Sequence, residues 1–145
     1  MSTSEDRINP TPQGKYVAAT RFGNIIYTAG MTPRKNGVLI QSGKVCSTEP
    51  IARYKEAVIQ AVTNAYTAAI NMLTEEEEVK QVLSLTVYVN ADEPFHAHSS
   101  IADIASEYLF ETLGTAGIGS RAAIGVATLP GNAPIEIQLI VGVTE

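Results

Sequence analysis

The sequence predicts an α+β fold, with two helices packed on one face of a mixed sheet. Two segments repeat apolar residues every three or four positions, the spacing that puts them on one side of a helix. Five shorter segments are rich in Val, Ile and Tyr, which suit a pleated, half-buried surface. The order strand, strand, helix, strand, helix, strand, strand offers no third helix for the second face of the sheet. Val, Ile and Leu on both faces of the last strands therefore predict a partner subunit there, and hence a homo-oligomer.

Residues 1–15, rich in Ser, Thr, Pro and Asn, read as an extended arm. Strands are expected over 16–22 and 24–29, with a turn at Gly23-Asn24, and a short one over 38–40 within the turn-rich stretch 30–43. The first helix is expected to be capped by Thr48, with Pro50 in its first turn. Its buried stripe runs from Ile51 and Tyr54 through Val58, Ala61, Val62, Ala65 and Ala69 to Ile70 and Leu73, with Gln60 and Asn64 off it. The four glutamates at 75–78 repel one another and are expected to end that helix in solvent. Residues 79–90 alternate as a buried strand. After Asp92-Glu93-Pro94 comes the second helix, with Ser100 and Asp103 resembling a capping box and Gly114, Gly117 and Gly119 closing it. Two last strands, 121–129 and 134–144, flank the turn at 130–133.

Length and charge bound the function. At 145 residues, with 45% hydrophobic and 17% charged residues, the chain is one domain able to bury roughly 68–70% of its unfolded surface. A net charge of −5 gives no basic surplus to neutralise phosphates, which argues against a nucleic-acid partner. No apolar run approaches the roughly 20 residues of a membrane span, and the N-terminus has no signal-peptide core, so a cytoplasmic location is expected. Cys46 is the one cysteine and has no partner for a disulfide or a zinc site. His96 and His98 lack a third ligand type nearby, so no metal site is expected. Dinucleotide, P-loop, hydrolase-elbow and zincin motifs are absent.

Chemistry concentrates near the C-terminus. Arg121 heads an apolar strand, where an unpaired guanidinium is costly, so it requires an anion. Glu136 poses the same question in the final strand. One reading is an Arg121–Glu136 ion pair. If the last two strands form a hairpin, however, four to six residues separate the two, roughly 13–20 Å at ~3.3 Å per residue. The other reading is a pocket between subunits, with one charge from each chain.

At these residues the chain resembles the RidA (reactive intermediate deaminase, YjgF-like) family over nearly its whole length. KYVAATRFGNIIYTAGMTP is similar to that family's tyrosine-led strand, GN turn and SGQ-x-P loop, and SRAAIGVATLPGNAPIEIQLIV to its R-S-A-V-x-V-x-x-LP-x-x-x-x-VEIEA signature, with the same fifteen-residue interval from Arg121 to Glu136. The stretch ADIASEYLFETLGTAGIGSRAAIGVATLP is closest to a less-studied branch with a longer glycine-containing loop before the arginine. The resemblance implies a chorismate-mutase-like fold, a homotrimer with clefts between subunits, and cofactor-independent hydrolysis of 2-imino or enamino acids to 2-oxo acids and ammonia. It implies that Arg121 holds the substrate carboxylate and Glu136 orients or activates water. Tyr16 and the backbone at Gly30 would line the cleft, and Ala123 would take a small-residue position. The family's loop serine is Ala29 here and its glutamine is Met31, which removes a polar contact; Ser99 or Asp103 stands where the family places an asparagine. The alternatives are a non-catalytic trimer binding a small carboxylate metabolite and a specialised pathway hydrolase on the same scaffold.

Overall fold

The computed structural model describes residues 8–144, and the first seven residues of the expected arm lie outside that range. One five-stranded sheet organises the chain: β1 (Ala19–Phe22), β2 (Ile25–Thr28), β5 (Val79–Asn90), β6 (Ser120–Val126) and β7 (Ile135–Val143), in the order β1-β2-β7-β5-β6. β3 (Arg34–Lys35) and β4 (Val38–Leu39) form a separate hairpin, turning at Asn36-Gly37 where both residues have positive φ, as a tight two-residue turn demands. Helices α1 (Lys55–Ile70) and α2 (His98–Leu113) cover one face. The α+β architecture with two helices on a mixed sheet is thus as the sequence predicts.

The alternation in β7 divides the two faces. Ile135, Ile137, Leu139, Val141 and Val143 are buried, whereas Glu136, Gln138, Ile140 and Gly142 are half-buried on the other side. Val82, Leu85, Val87 and Val89 of β5 join the buried side, against Val58, Ala61, Val62, Ala65 and Ala69 of α1 and Ile101, Ala105 and Leu109 of α2. Alanines along α1 let the helix lie close to the sheet. The opposite face carries Phe22, Ile25, Tyr27, Leu83 and Ile124, and Phe22 is 85% exposed.

Several expected details differ. The last two strands do not form a hairpin: β5 lies between them, parallel to β6 and antiparallel to β7. The cause is α2, whose 16 residues carry the chain back across the sheet so that β6 starts alongside Ser84, midway along β5, and runs parallel to it, the geometry a helical crossover imposes. Strand β1 begins at Ala19, because Tyr16 belongs to a bend in which its hydroxyl accepts a hydrogen bond from Gln13 N–H at 3.0 Å. The first helix opens as a 3-10 turn over Ile51–Tyr54 without a side-chain cap, so neither Thr48 nor the next helix's Ser100–Asp103 pair caps anything. Asn64 is buried: its amide nitrogen donates to the carbonyls of Thr32 (3.1 Å) and Arg34 (2.8 Å), tying the β3–β4 hairpin to α1.

Helix α1 ends at Ile70, before the glutamate run, and Glu77 is not simply solvated. Arg21 Nη1 and Nη2 donate to its two oxygens at 2.7 and 2.6 Å, a bidentate pair tying edge strand β1 to the turn after α1. The guanidinium and the Thr74 N–H hold Glu77 down from 4.5 to about 2. A carboxyl lowered in the folded state contributes stability above its unfolded value and loses it as pH falls from there through the folded value. Acid titration followed by circular dichroism is therefore expected to show wild type losing stability between about pH 4.5 and 2, with Glu77→Gln less stable at neutral pH and flatter in that window.

Candidate active site

Arg121 is the second residue of edge strand β6. It pairs with Leu85, which pairs on its other side with Leu139, and cross-strand partners project to one face. Leu85 and Leu139 are core residues, so Arg121 points to the helical side, towards α2. There Nη1 donates to Asp103 Oδ1 at 2.8 Å and to Ser106 Oγ at 3.0 Å, and Nη2 donates to Ser99 Oγ at 2.8 Å. The three acceptors stand four and three residues apart, one stripe down successive turns of α2. The Arg121 side chain remains 24% exposed, and Asp103 is 70% exposed. Ala123 and Gly125 continue the same side of β6, because their partners Val87 and Val89 are core residues. Gly125 leaves room for the His98 ring, which also meets Phe95 edge-on at 5.2 Å.

Glu136 lies on the opposite face, opposite Tyr88, whose other neighbour is Ile124. Burial raises its carboxyl above the ordinary range, and no described residue donates a hydrogen bond to it. Gly30 sits against it. Between the pairs Tyr27–Ile140 and Met31–Ile137, three residues of β2 and its continuation face two of β7. Thr28 Oγ1 takes up the Leu139 N–H at 3.0 Å across this bulge, which brings the Gly30 backbone so close that a Cβ would lie 2.9 Å from Glu136 Cδ. Ala29 is half-buried against the core, its N–H bonded to the Ala18 carbonyl at 2.8 Å.

The candidate residues thus fall into two groups. Arg121, Ser99, Asp103 and Ala123 belong to the helical side of β6, and Glu136 and Gly30 to the open face of β7. Arg121 lies three residues along and two strands across from Glu136, about 14 Å, with the sheet between them. An ion pair between the two is excluded within one chain; Arg121 pairs with Asp103 instead. Tyr16 is 48% exposed in its bend and makes no described hydrogen bond to either group. Met31 is buried in the core, bridging to Ile137. Ser106 was not singled out in the sequence, although its distance from Asp103 on an amphipathic helix was a usable signal. Lys44 was also missed: its ammonium donates to Asn90 Oδ1 at 2.8 Å and to the Ala127 carbonyl, closing the far end of β6 onto β5. Among the described residues no cluster of His, Cys, Asp and Glu suits a metal ion, and no helix is long and apolar enough to cross a membrane.

Known proteins share this fold. Residues 7–143 match the family described as endoribonuclease L-PSP. Protein TCP17 of Trypanosoma cruzi is 28% identical over 135 residues, covering 90% of this chain and 82% of its own. Protein Atu1372 of Agrobacterium tumefaciens, of unknown function, superposes with a TM-score of 0.80 at 29% identity, covering 90% of this chain and 82% of that one. Two E. coli structures share the fold, each with 94% of both chains covered: the YjgF gene product (TM-score 0.66, 24% identity) and TdcF with bound serine (0.69, 18%). With the family match running from residue 7 to residue 143 and YjgF and TdcF sharing its fold, the chain belongs to the endoribonuclease L-PSP family, the YjgF-like group that its terminal motifs resemble.

Proposed function

We propose that this protein hydrolyses reactive 2-imino or enamino acids to 2-oxo acids and ammonia, in clefts between the subunits of a homotrimer. The observation that carries the reading is the separation of Arg121 from Glu136. A partly exposed guanidinium and an unbonded, desolvated carboxylate stand on opposite faces of one sheet, so a second copy is needed to bring them to one ligand. The apolar open face that holds Glu136 supplies the surface such a copy would cover. The serine bound in TdcF is a small carboxylate ligand of a protein with the same fold.

The chemistry needs few groups. Arg121 grips the ligand carboxylate by charge-assisted hydrogen bonds and fixes the imine carbon. Glu136 takes a proton from water as its oxygen adds to that carbon. Glu136 returns that proton to nitrogen as the C–N bond of the resulting carbinolamine breaks and ammonia leaves, and it takes up the hydroxyl proton as the C=O bond of the 2-oxo acid forms. The family description names an endoribonuclease, but a net charge of −5 offers little to a polyanion, so the small carboxylate is the better ligand. One observation favours a binding-only trimer: Ala29 stands where the family's loop carries a serine, next to the Gly30 backbone that meets Glu136.

The test couples the protein to an amino-acid oxidase that releases 2-imino acids, with semicarbazide competing for the imine. Wild type is expected to accelerate 2-oxo acid formation and suppress semicarbazone. Arg121→Ala should fall by at least 100-fold in kcat/KM, the scale of a lost positioning contact. Light scattering should give three times the chain mass of 15.4 kDa. A wild type indistinguishable from buffer over several side chains, yet able to bind the carboxylates, would establish the binding-only reading.

A further inference from the structure

We propose that Asp103 sets the ligand class of the Arg121 site, favouring small carboxylates that carry a cationic nitrogen on the α-carbon over plain carboxylates such as 2-oxo acids. The inference rests on Arg121 as the carboxylate anchor and adds what that anchor accepts.

Three of the five guanidinium N–H groups are used by α2, two on Nη1 and one on Nη2. The Nε–H and one Nη2 hydrogen make no hydrogen bond among the described residues, which leaves room for a ligand carboxylate without expelling Asp103. Two of the present acceptors are neutral hydroxyls, and only Asp103 brings charge. It does so through one oxygen: Oδ1 meets Nη1, while Oδ2 accepts nothing among the described residues and the side chain is 70% exposed. Such single-point, exposed pairs are weak and easily remodelled.

A plain carboxylate on Arg121 would place a second negative charge beside that of Asp103. A ligand with an ammonium or iminium nitrogen on the neighbouring carbon cancels that repulsion, because its N–H can reach the vacant Oδ2 while its carboxylate takes the remaining guanidinium donors. The surroundings work in the same direction. Asp103, Glu107 and Glu111 recur at one-turn spacing and line a groove of about 540 Å³ between α1 and α2, in which Lys55 is the sole basic lining residue among those described. The field of this groove, which shares Asp103 with the Arg121 site, attracts cations and repels simple anions. A protonated imine enters on these terms, and its 2-oxo acid product, having lost the nitrogen, meets the Asp103 charge unbalanced and leaves.

The test measures the affinity of the intact assembly for L-alanine and for pyruvate, which share a three-carbon carboxylate and differ in the nitrogen. Wild type is expected to bind alanine at least tenfold more tightly. Asp103→Asn should weaken alanine, tighten pyruvate and bring the ratio near one, and Asp103→Glu should restore the order. Unchanged mass and melting temperature would show that both variants are folded. Equal wild-type affinities, or a preference that survives Asp103→Asn while Arg121→Ala abolishes binding, would overturn the inference and leave the anchor standing. Binding of neither ligand, or binding untouched by Arg121→Ala, would overturn the anchor and the inference together.

Discussion

Glu136→Gln is expected to lower kcat/KM for 2-imino acid hydrolysis by about 10²–10⁴-fold, the range a positioned general base contributes, while leaving the fold intact. The amide fills the same space on β7, and no described hydrogen bond is lost with the carboxylate. Burial raises the Glu136 carboxyl above its ordinary value. The sign of the stability effect follows. A carboxyl raised in the folded state favours folding below its unfolded pKa, and that contribution is lost as pH rises through the folded value. At neutral pH the ionised form therefore burdens the fold, and Glu136→Gln should melt at or slightly above wild type. Activity runs the other way, because the base must be ionised. The wild-type rate should climb with pH through the raised pKa and then level, and this limb should vanish in the variant. Gly30→Ala offers an independent approach, since its Cβ would force the Glu136 carboxylate aside. It should lose most activity with Glu136 still present. A Glu136→Gln enzyme with the wild-type rate and pH profile would remove Glu136 from the mechanism.

How much of this was legible in the sequence depends on which distances local pattern can report. The helical layer was readable because the stripe from Tyr54 to Ala69 and the alternation in β7 record burial at fixed short periods. Strand order was not. The turn at Pro130–Asn132 looks like a hairpin connection, and only the length of α2 hints that β6 returns parallel to β5, which puts β5 between the last two strands. The partner of Arg121 was hidden for a similar reason. Asp103 read locally as half of a capping box, although the helix begins at His98 and the carboxylate reaches 18 residues ahead to β6. Asn64 was misjudged because a residue beneath a hairpin is placed by the backbone that docks on it, which no period encodes. Arg121 and Glu136 stood out as charges within apolar strands, and the resemblance suggested roles for them, but neither signal could show that the sheet separates them.

Gly119→Ala carries the largest expected cost to the fold, about 2–3 kcal/mol or more, in the upper range for forcing extra volume into a packed interior. Its Cβ would overlap the Val82 carbonyl oxygen and stand 2.8 Å from the carbonyl carbon. These are backbone atoms of β5, so no side-chain rotation relieves the clash. They also sit where β5 is irregular, its register with β7 shifting between Val82 and Ser84, immediately before β6 begins to pair at Ser84–Ser120. Either β5 gives way or the start of β6 lifts from the sheet. Lifting β6 moves Arg121, two residues on, away from Ser99, Asp103 and Ser106, so carboxylate binding should weaken even in the folded fraction. At about 2–4 °C per kcal/mol for a chain of this size, the melting temperature should fall by roughly 5–10 °C. Gly142→Ala is the control. Its Cβ would meet the Leu83 side chain at 3.6 Å, ordinary van der Waals contact, and its expected effect on melting is within a degree or two. Two variants with the same chemistry and opposite expected outcomes separate close backbone approach from any general intolerance of alanine for glycine. If Gly119→Ala melts with Gly142→Ala and keeps wild-type affinity, the start of β6 is not held against Val82, and the seat of Arg121 must be sought elsewhere along the strand.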